Sequence, residues 1–228
     1  MTRLLASVQD VHEAQIALAG GADIVDFKHP SQGALGALSA DTIAAGVRRV
    51  ERRALTSATA GDWPLEPGQL TSAAARIGAT GVDYVKLGLL PGPALGHCID
   101  ALNAVARECR LVAVFFADRG VPLQALEWLQ HAGFSGAMID TFDKAGGGLR
   151  NHLSEDRLRA FVIRSRALGL LTGLAGSLRV DDIAVLRGLG PDLLGFRGAL
   201  CEGHDRNSAL SLARLRSVRE ALPPPERL

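Results

Sequence analysis

Three lysines are the residues most open to chemistry. The chain of 228 residues carries 25 Lys plus Arg, and only Lys28, Lys86 and Lys144 are lysine; the other 22 are arginine. Arginine therefore serves as the ordinary surface cation. It stays charged at any working pH, whereas lysine loses its proton when desolvated or crowded and becomes an amine nucleophile. Lys28 ends the apolar run ADIVDFK, with Asp26 two positions earlier; Lys86 lies in VDYVKLGLL; Lys144 follows MIDT, which holds Asp140. With a side-chain period of 2, Asp26 and Lys28 share one face of a strand, Tyr84, Lys86 and Gly88 another, Met138 and Asp140 a third. Should those faces converge, ammonium and carboxylate groups titrate together: a neighbouring ammonium or burial lowers a lysine pKa, a carboxylate raises it. From a reference of roughly 10.4, a lysine must fall by about 2–3 to act as an amine at neutral pH. One lysine can then be the nucleophile and its neighbour the cation that activates it. Taken singly, each lysine also fits an exposed loop cation or half of a buried ion pair.

A second set of residues suits an anion. GLAGSLRVDD holds Gly176 and Ser177, and GFRGALCEG holds Arg197 and Gly198. Glycine lets phosphate approach backbone amides, and Ser177 adds a hydroxyl. Small residues of this kind also make plain turns. Joined to the lysines, a phosphate clamp beside an amine describes imine formation with small sugar phosphates. Three further segments stand out. KHPSQGALGAL either folds over a substrate or turns in solvent. SATAGD (57–62) reads as a lining segment with no specific role. Arg206 in CEGHDRNS either helps hold a second phosphate or belongs to a solvated loop.

These residues need a frame. Apolar runs at 4–8, 23–28, 55–60, 84–89, 111–116, 137–141, 170–175 and 193–197 read as strands, and stretches at 10–18, 40–53, 95–109, 123–131, 154–168 and 180–189 read as helices. Asp10, Asp41 and Ser154 suit helix N-caps, and Gly20–Gly21, Gly133 and Gly169 suit helix stops. The refrain GGADIVDFK, TGVDYVKLG, GFSGAMIDT and LGPDLLGFRG leads each time from a helix stop into an apolar strand. Eight such units in this length predict an α/β fold, a single-domain (β/α)8 barrel over residues 1–222 with a short tail at 223–228. An open doubly wound sheet is the rival, but the Gly-x-Gly-x-x-Gly signature after the first strand is missing. In a barrel, active sites lie at the C-terminal ends of strands, where all three lysines fall.

Composition narrows the partners. Hydrophobic residues make up 47%, charged residues 21%, and the formal net charge is +1. That balance predicts neither a nucleic acid nor a membrane partner, and no apolar run approaches a membrane span. The N-terminus turns polar too early for a signal peptide, so a cytoplasmic location is expected. Cys98, Cys109 and Cys201 form no Cys-x-x-Cys and read as reduced bystanders. The six histidines form no zinc-binding pair, and no metal is expected. Self-association into a homo-oligomer stays open.

Taken in order, GGADIVDFKHPSQGALGA, SATAGD, DYVKLGL, MIDT with its following lysine, LAGS and GFRGALCEGHDR resemble the (5-formylfuran-3-yl)methyl phosphate synthases, also called 4-(hydroxymethyl)-2-furancarboxaldehyde-phosphate synthases. The resemblance runs over nearly the whole chain. It implies a barrel lyase that condenses two glyceraldehyde 3-phosphate molecules into a furan carboxaldehyde phosphate, with loss of phosphate and water, early in methanofuran biosynthesis and so in one-carbon metabolism. By motif match it makes Lys28 the Schiff-base lysine, Lys86 the acid/base lysine, and Asp26, Asp140 and Lys144 supporting charges. It calls for no metal and no organic cofactor. A class I aldolase of deoxyribose-phosphate type, or a non-catalytic barrel binding a phosphorylated aldehyde, would use the same lysines.

Overall fold

The computed structural model describes residues 2–143 and 145–223, so Lys144 and all of the expected tail after Pro223 lie outside the described residues. Eight parallel strands close on themselves in chain order: β1 (Arg3–Val8), β2 (Ile24–Phe27), β3 (Leu55–Thr59), β4 (Tyr84–Gly88), β5 (Leu111–Phe116), β6 (Gly136–Asp140), β7 (Leu171–Leu174) and β8 (Leu193–Phe196). The outer layer consists of α1 (Val11–Ala19), α2 (Ala40–Val50), α3 (Pro67–Gly78), α4 (Leu95–Ala101), α5 (Asn103–Ala106), α6 (Ala125–His131), α7 (Leu149–His152), α8 (Glu155–Ala167), α9 (Ile183–Gly188) and α10 (Leu212–Ala221). This is the expected (β/α)8 barrel.

Strand parity sorts the core into two shells. Residues such as Ala6, Val25, Phe27, Val85, Leu87, Phe115, Ile139 and Leu194 face outward and pack against the helices. Leu5, Ile24, Val112, Val114, Met138 and Leu193 face inward and fill the barrel. The inward residues change character along the strands. Leu5, Ile24, Tyr84 and Met138 belong to the apolar interior, and two residues further along the same four strands come Ser7, Asp26, Lys86 and Asp140. The apolar part is a packed plug. The polar residues above it sit where the strands end.

Most expected elements appear with ends shifted by a residue or two. Asp10 accepts from the Glu13 amide and caps α1, and Ser154 accepts from Arg157 and caps α8. Asp41 does not cap α2. Ser39 does, bonding the Thr42 amide, and Asp41 falls in the first turn, where its charge still suits the helix dipole. The helix expected at 95–109 breaks into α4 and α5 around Leu102. All three cysteines are free, and burial pushes the Cys201 thiol up to about 11, which keeps it protonated and unreactive. Among the described residues no helix is long and apolar enough to cross a membrane.

Candidate active site

Strand ladders deliver the lysines to the mouth of the barrel. The register pairs Ser7 with Asp26, Asp26 with Ser57, and Thr59 with Lys86, so consecutive strands raise these residues to neighbouring heights. The Lys28 amide continues the ladder beyond β2 by donating to the Val8 carbonyl at 2.9 Å. Lys28, Lys86 and Asp140 are 7%, 5% and 5% exposed and line one cavity of about 330 Å3. That volume lies in the range of small-ligand sites, about 300–1,000 Å3.

Asp26 is fully buried and organises this wall. Lys86 Nζ donates to its Oδ2 at 2.7 Å, Ser7 Oγ to the same oxygen at 2.9 Å, and Ser57 Oγ to Oδ1 at 2.6 Å. Three donors hold the Asp26 side chain and fix where Lys86 stands. Lys86 is thus half of a buried ion pair, one of the two alternatives left open for a lysine here. Such a pair is weak support for stability, because apolar residues of similar volume often do as well. Ser7 joins the site without any local signal in the sequence, and Ser57, within the segment read as a lining one, takes its specific role from a carboxylate on the neighbouring strand.

The opposite wall is built of backbone. Gly195 faces inward on β8 and lines the cavity, while Gly173 on β7 yields its space to the packed plug: a Cβ there would come within 2.5 Å of Met138 Cγ and 2.8 Å of Leu193 Cδ1. Gly176 has φ of +112°, and a Cβ there would lie 2.9 Å from Thr141 Cγ2 and 3.1 Å from the Thr141 amide. Both facts require glycine at this bend. Ser177 follows with φ of 48°. The amides of Ser177, Gly198 and Ala199 bond no acceptor among the described residues and border the cavity. They form a cradle of partial positive charge.

Arg197 has a different place from the one expected. Its guanidinium pairs with the buried Glu13, which also accepts from the amides of Gln9 and Leu210. Nε donates to the Arg206 carbonyl at 2.8 Å, Nη1 to the Ser7 carbonyl at 3.2 Å and to Glu13, and Nη2 to Glu13 at 3.2 Å and the Ser208 carbonyl at 3.0 Å. All five N–H groups have protein acceptors, so this side chain braces β1, β8 and the 202–211 segment and has no donor left for phosphate. Its partners lie up to 190 residues away, which no local pattern announces.

Two loops complete the mouth. The segment after β2 folds inward: Ala34 and Leu35 are 1% exposed and join the inner core. The Leu35 amide donates to Asp62 at 3.1 and 3.2 Å, Thr59 Oγ1 donates to the Gly36 carbonyl at 2.8 Å, and Arg206 Nη2 to the Gly33 carbonyl at 3.1 Å. SATAGD is therefore a bracing segment. Its Ser57 holds Asp26, while Thr59 and Asp62 hold the loop that follows Lys28. The segment after Asp140 hangs from Asp118, which accepts from the amides of Phe142 at 2.7 Å and Asp143 at 2.9 Å. Burial works to raise the Asp118 pKa, but these amides and His152 outweigh it and hold the carboxyl below its usual value.

Comparison with known proteins agrees with the frame and the motifs. The 4-HFC-P synthase family profile matches residues 4–219. A candidate (5-formylfuran-3-yl)methyl phosphate synthase of Methylorubrum extorquens is 45% identical over 223 residues, covering 96% of this chain and 91% of its own. The (5-formylfuran-3-yl)methyl phosphate synthases of Methanococcus aeolicus and Methanocaldococcus jannaschii are each 37% identical, covering 90% of this chain and 92% of theirs. Among solved structures, phosphoribosyl anthranilate isomerase of Thermus thermophilus superposes with a TM-score of 0.68 at 15% identity, covering 97% of this chain and 98% of its own. A 3-hexulose-6-phosphate synthase superposes with 0.68 at 17% identity, covering 96% and 99%. At such identity these two share the fold alone. The sequence relatives carry more, and the chain belongs to the 4-HFC-P synthase family.

Proposed function

We propose that the chain is a (5-formylfuran-3-yl)methyl phosphate synthase that condenses two glyceraldehyde 3-phosphate molecules through a Schiff base on Lys28. The observation that carries this reading is the meeting of buried Lys28, Lys86 and Asp140 in one cavity. An aldehyde condenses with the Lys28 amine, releases water and leaves an iminium. The iminium acidifies the adjacent carbon of the triose. Lys86, fixed by Asp26 at 2.7 Å, moves the protons: it gives one to the departing hydroxyl of the carbinolamine and, as the amine left behind, takes one from the adjacent carbon. Loss of phosphate, carbon–carbon bond formation with the second triose, ring closure and dehydration lead to the furan. In total, two triose phosphates lose one phosphate and two waters. Asp140 serves as a proton relay opposite. The amides of Ser177, Gly198 and Ala199 suit a phosphate, as barrels commonly hold one beyond their last two strands. Lys144, outside the described residues, joins this set by motif match.

Product analysis tests the reading. Incubation of the purified protein with glyceraldehyde 3-phosphate is expected to yield a furan aldehyde chromophore and one equivalent of inorganic phosphate per product. Reversible formation of a simple aldol adduct without phosphate release would replace this reading with the aldolase one. A stoichiometric imine without turnover would make the barrel a binding protein.

A further inference from the structure

We propose that Arg206 forms a second phosphate seat in the same cavity, distinct from the Ser177–Gly198 cradle. The inference rests on the proposed joining of two phosphorylated trioses, each of which enters the cavity with its phosphate attached. The amide cradle accounts for one dianion. Of the two other arginines that line the cavity, Arg197 has given all its N–H groups to protein acceptors, and Arg179, two residues beyond Ser177, is exposed.

Arg206 is in the opposite condition. It lines the cavity, its side chain makes no ion pair among the described residues, and its one hydrogen bond is from Nη2 to the Gly33 carbonyl at 3.1 Å. The remaining N–H groups of a half-buried guanidinium have no protein acceptor among the described residues. The neighbouring carboxylate of Asp205 is turned to its own loop, accepting from the Asn207 amide at 3.0 Å and from Ser208 Oγ at 3.3 Å. Burial presses the Arg206 pKa down and Arg197 adds to that, while Asp140, Asp62 and Asp205 act from a distance in the other direction. A cation in that setting gains from a direct anionic partner. The side chain is also fixed in place: Arg197 Nε holds the Arg206 carbonyl at 2.8 Å, and the Gly33 bond ties the guanidinium to the loop that follows Lys28. A planar guanidinium with free donors binds phosphate in bidentate fashion. The cavity thus offers two anion seats of different make, bare amides on the β7–β8 side and a guanidinium between the loops after β8 and β2.

Calorimetric titration with inorganic phosphate reads this without any catalysis. The wild type is expected to bind two phosphates, and Arg206→Gln one, with the remaining affinity within about threefold. Arg206→Lys, which keeps the charge and loses the fork, should retain two sites with the second weakened about tenfold. In turnover, Arg206→Gln should raise the KM for glyceraldehyde 3-phosphate about 10–100-fold, while borohydride capture of unphosphorylated glyceraldehyde on Lys28 is unchanged. A single phosphate site in the wild type, two sites surviving in Arg206→Gln, or equal losses with phosphorylated and unphosphorylated aldehyde would overturn the proposal. Absence of any Lys28 imine in the wild type would instead sink the Schiff-base reading and leave the two-site count standing by itself.

Discussion

The two walls of the cavity solve the same problem by opposite means. On the β1–β4 side, charged side chains lock one another: Ser7, Ser57 and Lys86 converge on Asp26. On the β7–β8 side, side chains are removed, and Gly176, Gly195 and Gly198 bring backbone to the cavity. The first wall concentrates groups that can move protons and form covalent bonds. The second offers fixed backbone dipoles, with the Arg206 guanidinium at its edge. Substitutions should therefore separate: changes on the lysine wall stop the chemistry, and changes on the glycine wall weaken the hold on substrate.

The largest expected effect tests the first half of that division. Lys28→Arg keeps the charge but cannot readily form the imine. Turnover should drop at least ~10³-fold, as for loss of a nucleophile, with little change in thermal midpoint. Substantial retained turnover would remove the nucleophile from this wall. Next comes the Asp26–Lys86 pair. Asp26→Asn alone leaves a buried ammonium without its counterion and should cost about 3–5 kcal/mol in urea unfolding. The double variant Asp26→Leu with Lys86→Met should recover most of that stability while activity stays at least ~10²-fold down. If the double variant stays as unstable as the single one, the pair is there to hold the barrel together rather than to react.

The glycine wall should respond differently. Gly176→Ala forces a left-handed backbone value and a contact of 2.9 Å with Thr141. It should cost about 1–3 kcal/mol of stability and raise KM more than it lowers kcat. A fall in kcat with unchanged KM would blur the contrast between the walls. The smallest effect concerns the loop after β6. The Asp118 carboxyl lies below its usual value, so its contribution to stability is present above the unfolded value of about 3.9 and is lost as pH falls through the lower folded one. Asp118→Asn should therefore cost about 1–2 kcal/mol at pH 7 and progressively less in acid below about pH 4. A cost independent of pH would mean that shape, not charge, holds the loop.

The contrast between walls also marks what is legible in the sequence. Strand parity alone places Asp26, Lys86 and Asp140 on inward faces, because in a closed barrel a period of 2 leaves no third direction. Runs such as LVAVFF announce their strands directly. α3 is absent from the sequence pattern, because its opening Pro-Gly reads as a turn, although proline at the first helical position is well accommodated. α10, itself rich in arginine and preceded by a polar loop, is equally hidden. At the site, what escapes local reading is every residue whose role is set by a partner far along the chain. Glu13 and Arg197 are 184 positions apart, Asp62 and Leu35 are 27 apart, and Ser7 and Asp26 are 19 apart. Arg197 misleads for the same reason. An arginine at the end of the eighth strand looks like a phosphate ligand until its buried carboxylate is seen.

The most direct test of the central claim is borohydride trapping during turnover of glyceraldehyde 3-phosphate, followed by peptide mass mapping. The account predicts one reduced adduct, on the peptide containing Lys28, that vanishes in Lys28→Arg. An adduct mapped to Lys86 or Lys144, or furan production in full with no trappable adduct, would contradict it.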